Sequence, residues 1–176
     1  MNLSLLPFRP VKYIEDIFCT VIVGSKGKIV SICYNIKGGI ENIYWPKKMN
    51  PEHGDNELWR STCFECFIGS SCTPEYYEYN QSPDGDSACY KFSDYRNRQS
   101  AFDRPSDYAF SLTADEYECH ARIDIPSPYT LPFYLGLAVI IKDRRNELHY
   151  FGLSHPNDAP DFHLRSHQKL IVKDVI

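Results

Sequence analysis

The chain has 176 residues, a length that suits one domain with a substantial core. Hydrophobic residues make up 43% and charged residues 24%, which argues against intrinsic disorder. A net charge of −4, with Lys and Arg scattered rather than striped, argues against a nucleic-acid partner.

In chain order, Met1 to Pro7 has no basic n-region, and its apolar run stops at Pro7 and Arg9, so no signal peptide is expected. No run of about eighteen apolar residues occurs, and no membrane partner is expected. Seven cysteines, an odd count, then read as reduced thiols in a cytoplasmic protein. Thirteen Tyr and ten Phe favour pleated, half-buried surfaces.

Val21 to Val23 and Ile29 to Ile36 form an opening strand pair across the turn Gly24-Ser25-Lys26-Gly27. A short run from Ile40 to Trp45 follows, then a polar loop from Pro46 to Asn56. Thr62 to Ile68 reads as a buried strand. Tyr76 to Gln81 and Ala88 to Phe92 flank Ser82-Pro83-Asp84-Gly85-Asp86, and so form a hairpin. Asn97 to Tyr108 reads as a long polar loop. Phe110 to Leu112, Tyr117 to Ile125, Phe133 to Lys142, Leu148 to Leu153 and Leu170 to Val175 complete about ten strands, with Arg144-Arg145-Asn146 as a turn. Short strands at regular spacing, with no long helical period, predict an all-β fold: an antiparallel β-sandwich occupying residues 1–176 as a single domain.

Side chains alternate across a strand, and this parity locates the polar candidates. Phe64, Cys66 and Ile68 point one way; Cys63, Glu65 and Phe67 point the other. Glu65 therefore sits mid-strand in apolar company and needs either an ion-pair partner or a ligand. On the following hairpin Tyr76, Glu78 and Asn80 share a face. If the strands adjoin, Glu65, Glu78 and Asn80 form one polar patch on an aromatic sheet, suited to a neutral polyhydroxylated ligand. Trp59 is a candidate stacking platform beside it.

The loop Leu153-Ser154-His155-Pro156 to Pro160-Asp161-Phe162-His163 follows a strand, a common place for a site. His155, Asp161 and His163 resemble metal ligands, but without a fourth ligand at zinc spacing an orientation pair or loop network is expected, and no metal. Cys63 and Cys66 have the spacing of a redox motif, yet parity sends them to opposite faces.

Four runs carry a family resemblance: residues 58–68, 76–85, 90–96 and 153–163. Together they resemble the bacterial DOMON-like proteins, relatives of family 9 carbohydrate-binding modules and of the haem- or sugar-binding DOMON domains. The resemblance implies a jelly-roll-like sandwich with a ligand site on one sheet. It implies sugar contacts by Trp59 and Glu65, with Glu78, Asn80 and Arg96 as further polar partners and Phe162 as the aromatic of the last run. Ser87 stands where that group usually has Trp.

The expected function is a non-catalytic module binding a small polar ligand, a saccharide or glycan fragment, through Trp59, Glu65, Tyr76, Glu78, Asn80, Arg96, His155 and Phe162. One alternative is a hydrolase-type enzyme using a carboxylate pair, or a His155–Asp161 pair, in the same cleft. Another is a haem-binding domain of the DOMON type, although Met49, the one Met besides Met1, has as its nearest His a residue, His53, too close in sequence to reach the opposite haem face; no cofactor is expected.

Overall fold

A computed structural model describes residues 1–46, 57–102, 105, 107–156 and 158–173. Thirteen strands are present among them, and all the pairings are antiparallel. One sheet contains β1 (Asn2–Ser4), β3 (Ile14–Val23), β4 (Ile29–Gly38), β10 (Glu118–Pro126) and β9 (Ala109–Ala114), in that order. The other runs β2 (Leu6–Pro7), β12 (Leu148–Gly152), β11 (Phe133–Lys142), β5 (Cys63–Ser70), β6 (Tyr76–Gln81), β7 (Ser87–Asp94) and β8 (Asn97–Phe102). β13 (Lys169–Ile171) pairs with the first residues of β11, on the side that β12 occupies further along. The two sheets pack face to face as a β-sandwich.

Parity builds the core. Val30, Ile32, Tyr34 and Ile36 of β4 meet Phe64, Cys66 and Ile68 of β5 and Leu135, Leu137 and Val139 of β11, all fully or almost fully buried. The Tyr34 hydroxyl crosses this core and donates to the Glu65 carbonyl at 2.7 Å, satisfying a buried polar group and pinning the middle of β5.

All eight residues of β5 are buried, because its other face is covered too. A second apolar cluster lies on the outer face of the larger sheet: Cys63, Phe67, Tyr76, Tyr90, Phe92 and Ile140, with Tyr150 and Phe162 packed against it. Cys63 and Cys66 thus lie in different clusters, as parity required.

The hairpin turns follow the sequence signals. Lys26 and Gly27 take positive φ in the first, Gly85 in the second and Asn146 between β11 and β12. Three expectations need correction. Residues 97–102 form the edge strand β8 rather than a loop; polar residues belong there because one side of an edge faces water. The run from Ile40 is a 3-10 turn, Ile40–Asn42, followed by a single bridge between Ile43 and Asp143. β1 and β2, too short to show a period, were not anticipated. Residues 174 and 175, at the end of the last predicted strand, lie outside the described residues, as does most of the loop after Pro46.

Candidate ligand cleft

The outer face of the larger sheet brings the carboxyls together through register. Glu65 pairs directly with Asn80, Phe67 with Glu78, and Glu78 in turn with Tyr90. Glu65 and Glu78 are therefore diagonal neighbours on adjacent strands, near enough to interact. They form the floor of a cleft of about 760 Å³. Trp59, Tyr90, Phe92, Tyr150 and Phe162 supply its aromatic walls, and Arg96, Arg98 and His163 line it as well.

Small residues and a covering segment shape this space. β11 and β12 present Gly136, Ala138 and Gly152 on the outer face, and the chain after β12 folds back over them. A side chain at Gly152 would meet the Phe162 ring at 2.8 Å, and one at Gly136 would meet Gln168 at 3.0 Å. The absence of side chains at these two positions lets Phe162 and His163 lie over the sheet beside Glu78.

Burial dominates the electrostatics. Glu65 and Glu78 are only 3% and 6% exposed. Burial, reinforced by the charge of Glu78, raises the Glu65 carboxyl well above the usual range. Burial likewise raises Glu78 to about 7, although the Asn80 amide and the charges of Arg96 and Arg98 oppose it. Asn80 donates from Nδ2 to Glu78 Oε1 at 2.7 Å, while its fully buried Oδ1 has no partner among the described residues. Glu65 lies directly across the ladder from Asn80, on the same face. Burial, and the charge of Glu78 on Glu65, thus act against two negative charges on this floor.

His163 is oriented by its neighbours. The Arg96 backbone N–H donates to the Tyr76 hydroxyl at 3.1 Å, which leaves the phenolic proton to go to His163 Nδ1 at 2.7 Å. Nε2 then carries the ring proton and faces Glu78 Oε2 at 3.9 Å. Burial, with help from Arg96 and against the charge of Asp161, lowers His163 to about 4. The Asp161 carboxylate accepts from the His163 N–H at 3.0 Å and pairs with the Arg96 guanidinium at 3.1 Å. Although burial opposes it, hydrogen bonds from Tyr95 and His163, together with Arg96, hold Asp161 below the usual carboxylate range.

Of the residues expected from sequence, Trp59, Glu65, Glu78, Arg96 and Phe162 line the cleft. Tyr76 and Asn80 lie on the same face but are buried beneath the lining, Tyr76 stacked on Phe92 at 4.6 Å. His155 is a correction. Its Nε2 bonds the Leu6 carbonyl at 2.7 Å, and its ring packs on Phe8 and backs Phe162, so it supports a wall without entering the cleft. The expected His155–Asp161 pair is not formed, and His155, Asp161 and His163 do not converge as metal ligands.

Tyr90, Phe92, Arg98 and Tyr150 were missed. Extending the parity of Glu78 across to Ala88–Phe92 would have found Tyr90 and Phe92; Arg98 was lost with the strand that read as a loop. Elsewhere, donor atoms of Asp143, Glu147 and His149 lie within 4.8 Å of one another. There Asp143 Oδ1 accepts the Arg145 and Glu147 N–H groups at 2.8 and 2.9 Å, an arrangement that shapes the β11–β12 turn. Met49 and His53, the pair considered for haem, lie outside the described residues. Among the described residues no helix is long and apolar enough to cross a membrane.

No family model matches the chain, and no curated protein does. Among solved structures, it is similar to a crystal structure described as that of a candidate carbohydrate-binding protein from Bacteroides uniformis. The match has a TM-score of 0.63 at 14% identity, and covers 96% of this chain and 85% of that one. At that identity the shared property is the fold.

Proposed function

We propose that this protein is a non-catalytic binding module for a saccharide or glycan fragment, related to the DOMON-like and family 9 carbohydrate-binding groups. The observation that carries the reading is the cleft itself: two buried carboxyls on the floor, ringed by aromatic side chains. Sugar rings have apolar faces that stack on aromatic walls and hydroxyls that need both donors and acceptors. Buried carboxyls raised toward the protonated form offer both, the acid O–H donating and the oxygens accepting. The described fold of the Bacteroides uniformis protein supports the same reading. No disulfide is formed among the described residues, which suits a reducing compartment, and we include a cytoplasmic location in the proposal.

A glycan array followed by calorimetry on a selected glycan tests it. Trp59, at the rim and 40% exposed, can be removed without opening the core. Trp59→Ala is expected to weaken glycan binding by about tenfold or more while leaving thermal stability nearly unchanged. An array with no bound glycan would sink the proposal.

A second reading rests on the raised carboxyl pair, since perturbed carboxyls in a cleft also mark acid–base enzymes. Glycoside hydrolysis, however, needs carboxyls on both sides of the scissile bond, and these two rise from one floor. Turnover of chromogenic glycosides that disappears in Glu78→Gln would favour the enzyme instead.

A further inference from the structure

Two backbone irregularities bring arginines to one rim of the cleft. β7 and β8 pair Lys91 with Ser100, but Phe92 then pairs with Arg98, so Gln99 is an extra residue. Uninterrupted pairing would set Gln99 opposite Phe92. The bulge sets Arg98 there instead, on the face that carries Tyr90 and Phe92. Its guanidinium lies over the Tyr90 ring, 5.1 Å from the centroid. Two residues earlier, Arg96 holds a left-handed backbone with φ of 54°. Arg96 lies in the two-residue turn, Tyr95–Arg96, that joins β7 to β8, and positive φ is the geometry of such a turn.

The charges along this rim are not equally matched. Glu57 pairs with Arg60 at 2.6 Å and Arg96 with Asp161 at 3.1 Å. Arg98 forms no ion pair among the described residues; Glu78 feels its charge through space without contacting it. A guanidinium stacked on an aromatic ring is already oriented, and its planar fork of N–H groups fits a carboxylate, phosphate or sulfate.

Resting on the saccharide reading of this cleft, we propose that the ligand is an anionic saccharide. Arg98, with Arg96 beside it, takes the acidic substituent while the sugar ring lies against the aromatic wall. Arg98 is then the residue that sets specificity, and the Glu65–Glu78 floor takes the hydroxyls at the other end.

The test is a glycan array that sets neutral oligosaccharides beside counterparts carrying uronic acid, sialic acid, sulfate or phosphate. Calorimetry follows on the best acidic glycan and its neutral counterpart. The acidic member is expected to bind at least about tenfold more tightly, an advantage that added salt erodes. Arg98→Gln should abolish the preference, weakening the acidic glycan at least about tenfold more than its neutral counterpart; Arg98→Lys should restore part of it, because it keeps the charge but not the fork. Preference for uronic and sialic acids assigns a carboxylate, and preference for the esters assigns a phosphate or sulfate. Equal binding of neutral and acidic glycans, or an Arg98→Gln variant that keeps the preference, overturns the inference and leaves the saccharide reading standing. Failure of every glycan removes both. Thermal unfolding of Arg98→Gln, expected to match the parent, separates lost recognition from lost fold.

Discussion

Glu78→Gln is expected to stabilise the protein at about pH 8 and to leave it unchanged at about pH 4. In the unfolded chain this carboxyl titrates near 4.5, whereas in the fold it titrates at about 7. Between those values the unfolded state has released its proton and the native state has not. The native state therefore binds more protons, and stability falls as pH rises through the window. Below 4.5 both states are protonated and the penalty is absent; above 7 it is complete, at about 3 kcal/mol. Glutamine keeps the oxygen that accepts from Asn80 and never ionises. For a chain of this length the gain corresponds to a rise in melting temperature of about 6–12 °C at the alkaline end.

His163 works in the opposite sense. Its folded value of about 4 lies below its ordinary 6.5, so the unfolded state takes up a proton first as pH falls, and stability drops through that interval. Where the two windows overlap, their slopes oppose each other, so the pH dependence there is shallow. Glu65, held well above the usual range, prolongs the alkaline decline, and the Cys19, Cys63 and Cys66 thiols, raised by burial, extend it at higher pH. Melting curves of parent and variant at the two pH values decide the matter. A gain of equal size at both would show that the substitution acts through packing and not through ionisation.

Legibility of the fold in the sequence followed the strength of each local signal. β5 and β6 were readable because alternation of Phe64, Cys66 and Ile68 against Cys63, Glu65 and Phe67 leaves one register that buries both sets. Parity assigns Glu65, Glu78 and Asn80 to one face only if the strands adjoin; that they do, with Glu65 across from Asn80, is set by the fold. β8 was not readable: an edge strand such as Asn97–Phe102 has no need of alternating apolar residues, and its bulge breaks the period besides. Arg98 was hidden for that reason. His155 misled because a histidine in a Pro-bounded loop looks like a site residue, and only the long-range contact with Leu6 shows its ring turned to the wall. Phe162 was suggested by resemblance alone, and the feature that positions it is a gap, the missing side chain at Gly152.

That gap makes Gly152 a sharp place to test how the cleft is built. Its backbone lies in a strand, and its φ is not positive, so alanine is conformationally allowed there. The obstacle is space alone, because a Cβ would sit 2.8 Å from the Phe162 ring. Gly152→Ala is accordingly expected to cost about 1–3 kcal/mol through overpacking. Because Phe162 is also a wall of the cleft, displacing it is expected to weaken glycan binding by about tenfold. The companion measurement is the same substitution made in Phe162→Ala. With the ring gone, the nearest contact left to the new methyl is the ordinary 3.4 Å one with His155, and replacing a strand glycine is then expected to stabilise by about 0.4–1 kcal/mol through the unfolded state. The effect of Gly152→Ala should therefore change sign between the two backgrounds, a coupling that denaturant unfolding of the four proteins measures directly. If alanine is equally destabilising with and without Phe162, the ring does not rest on Gly152, and another contact must set the position of the wall.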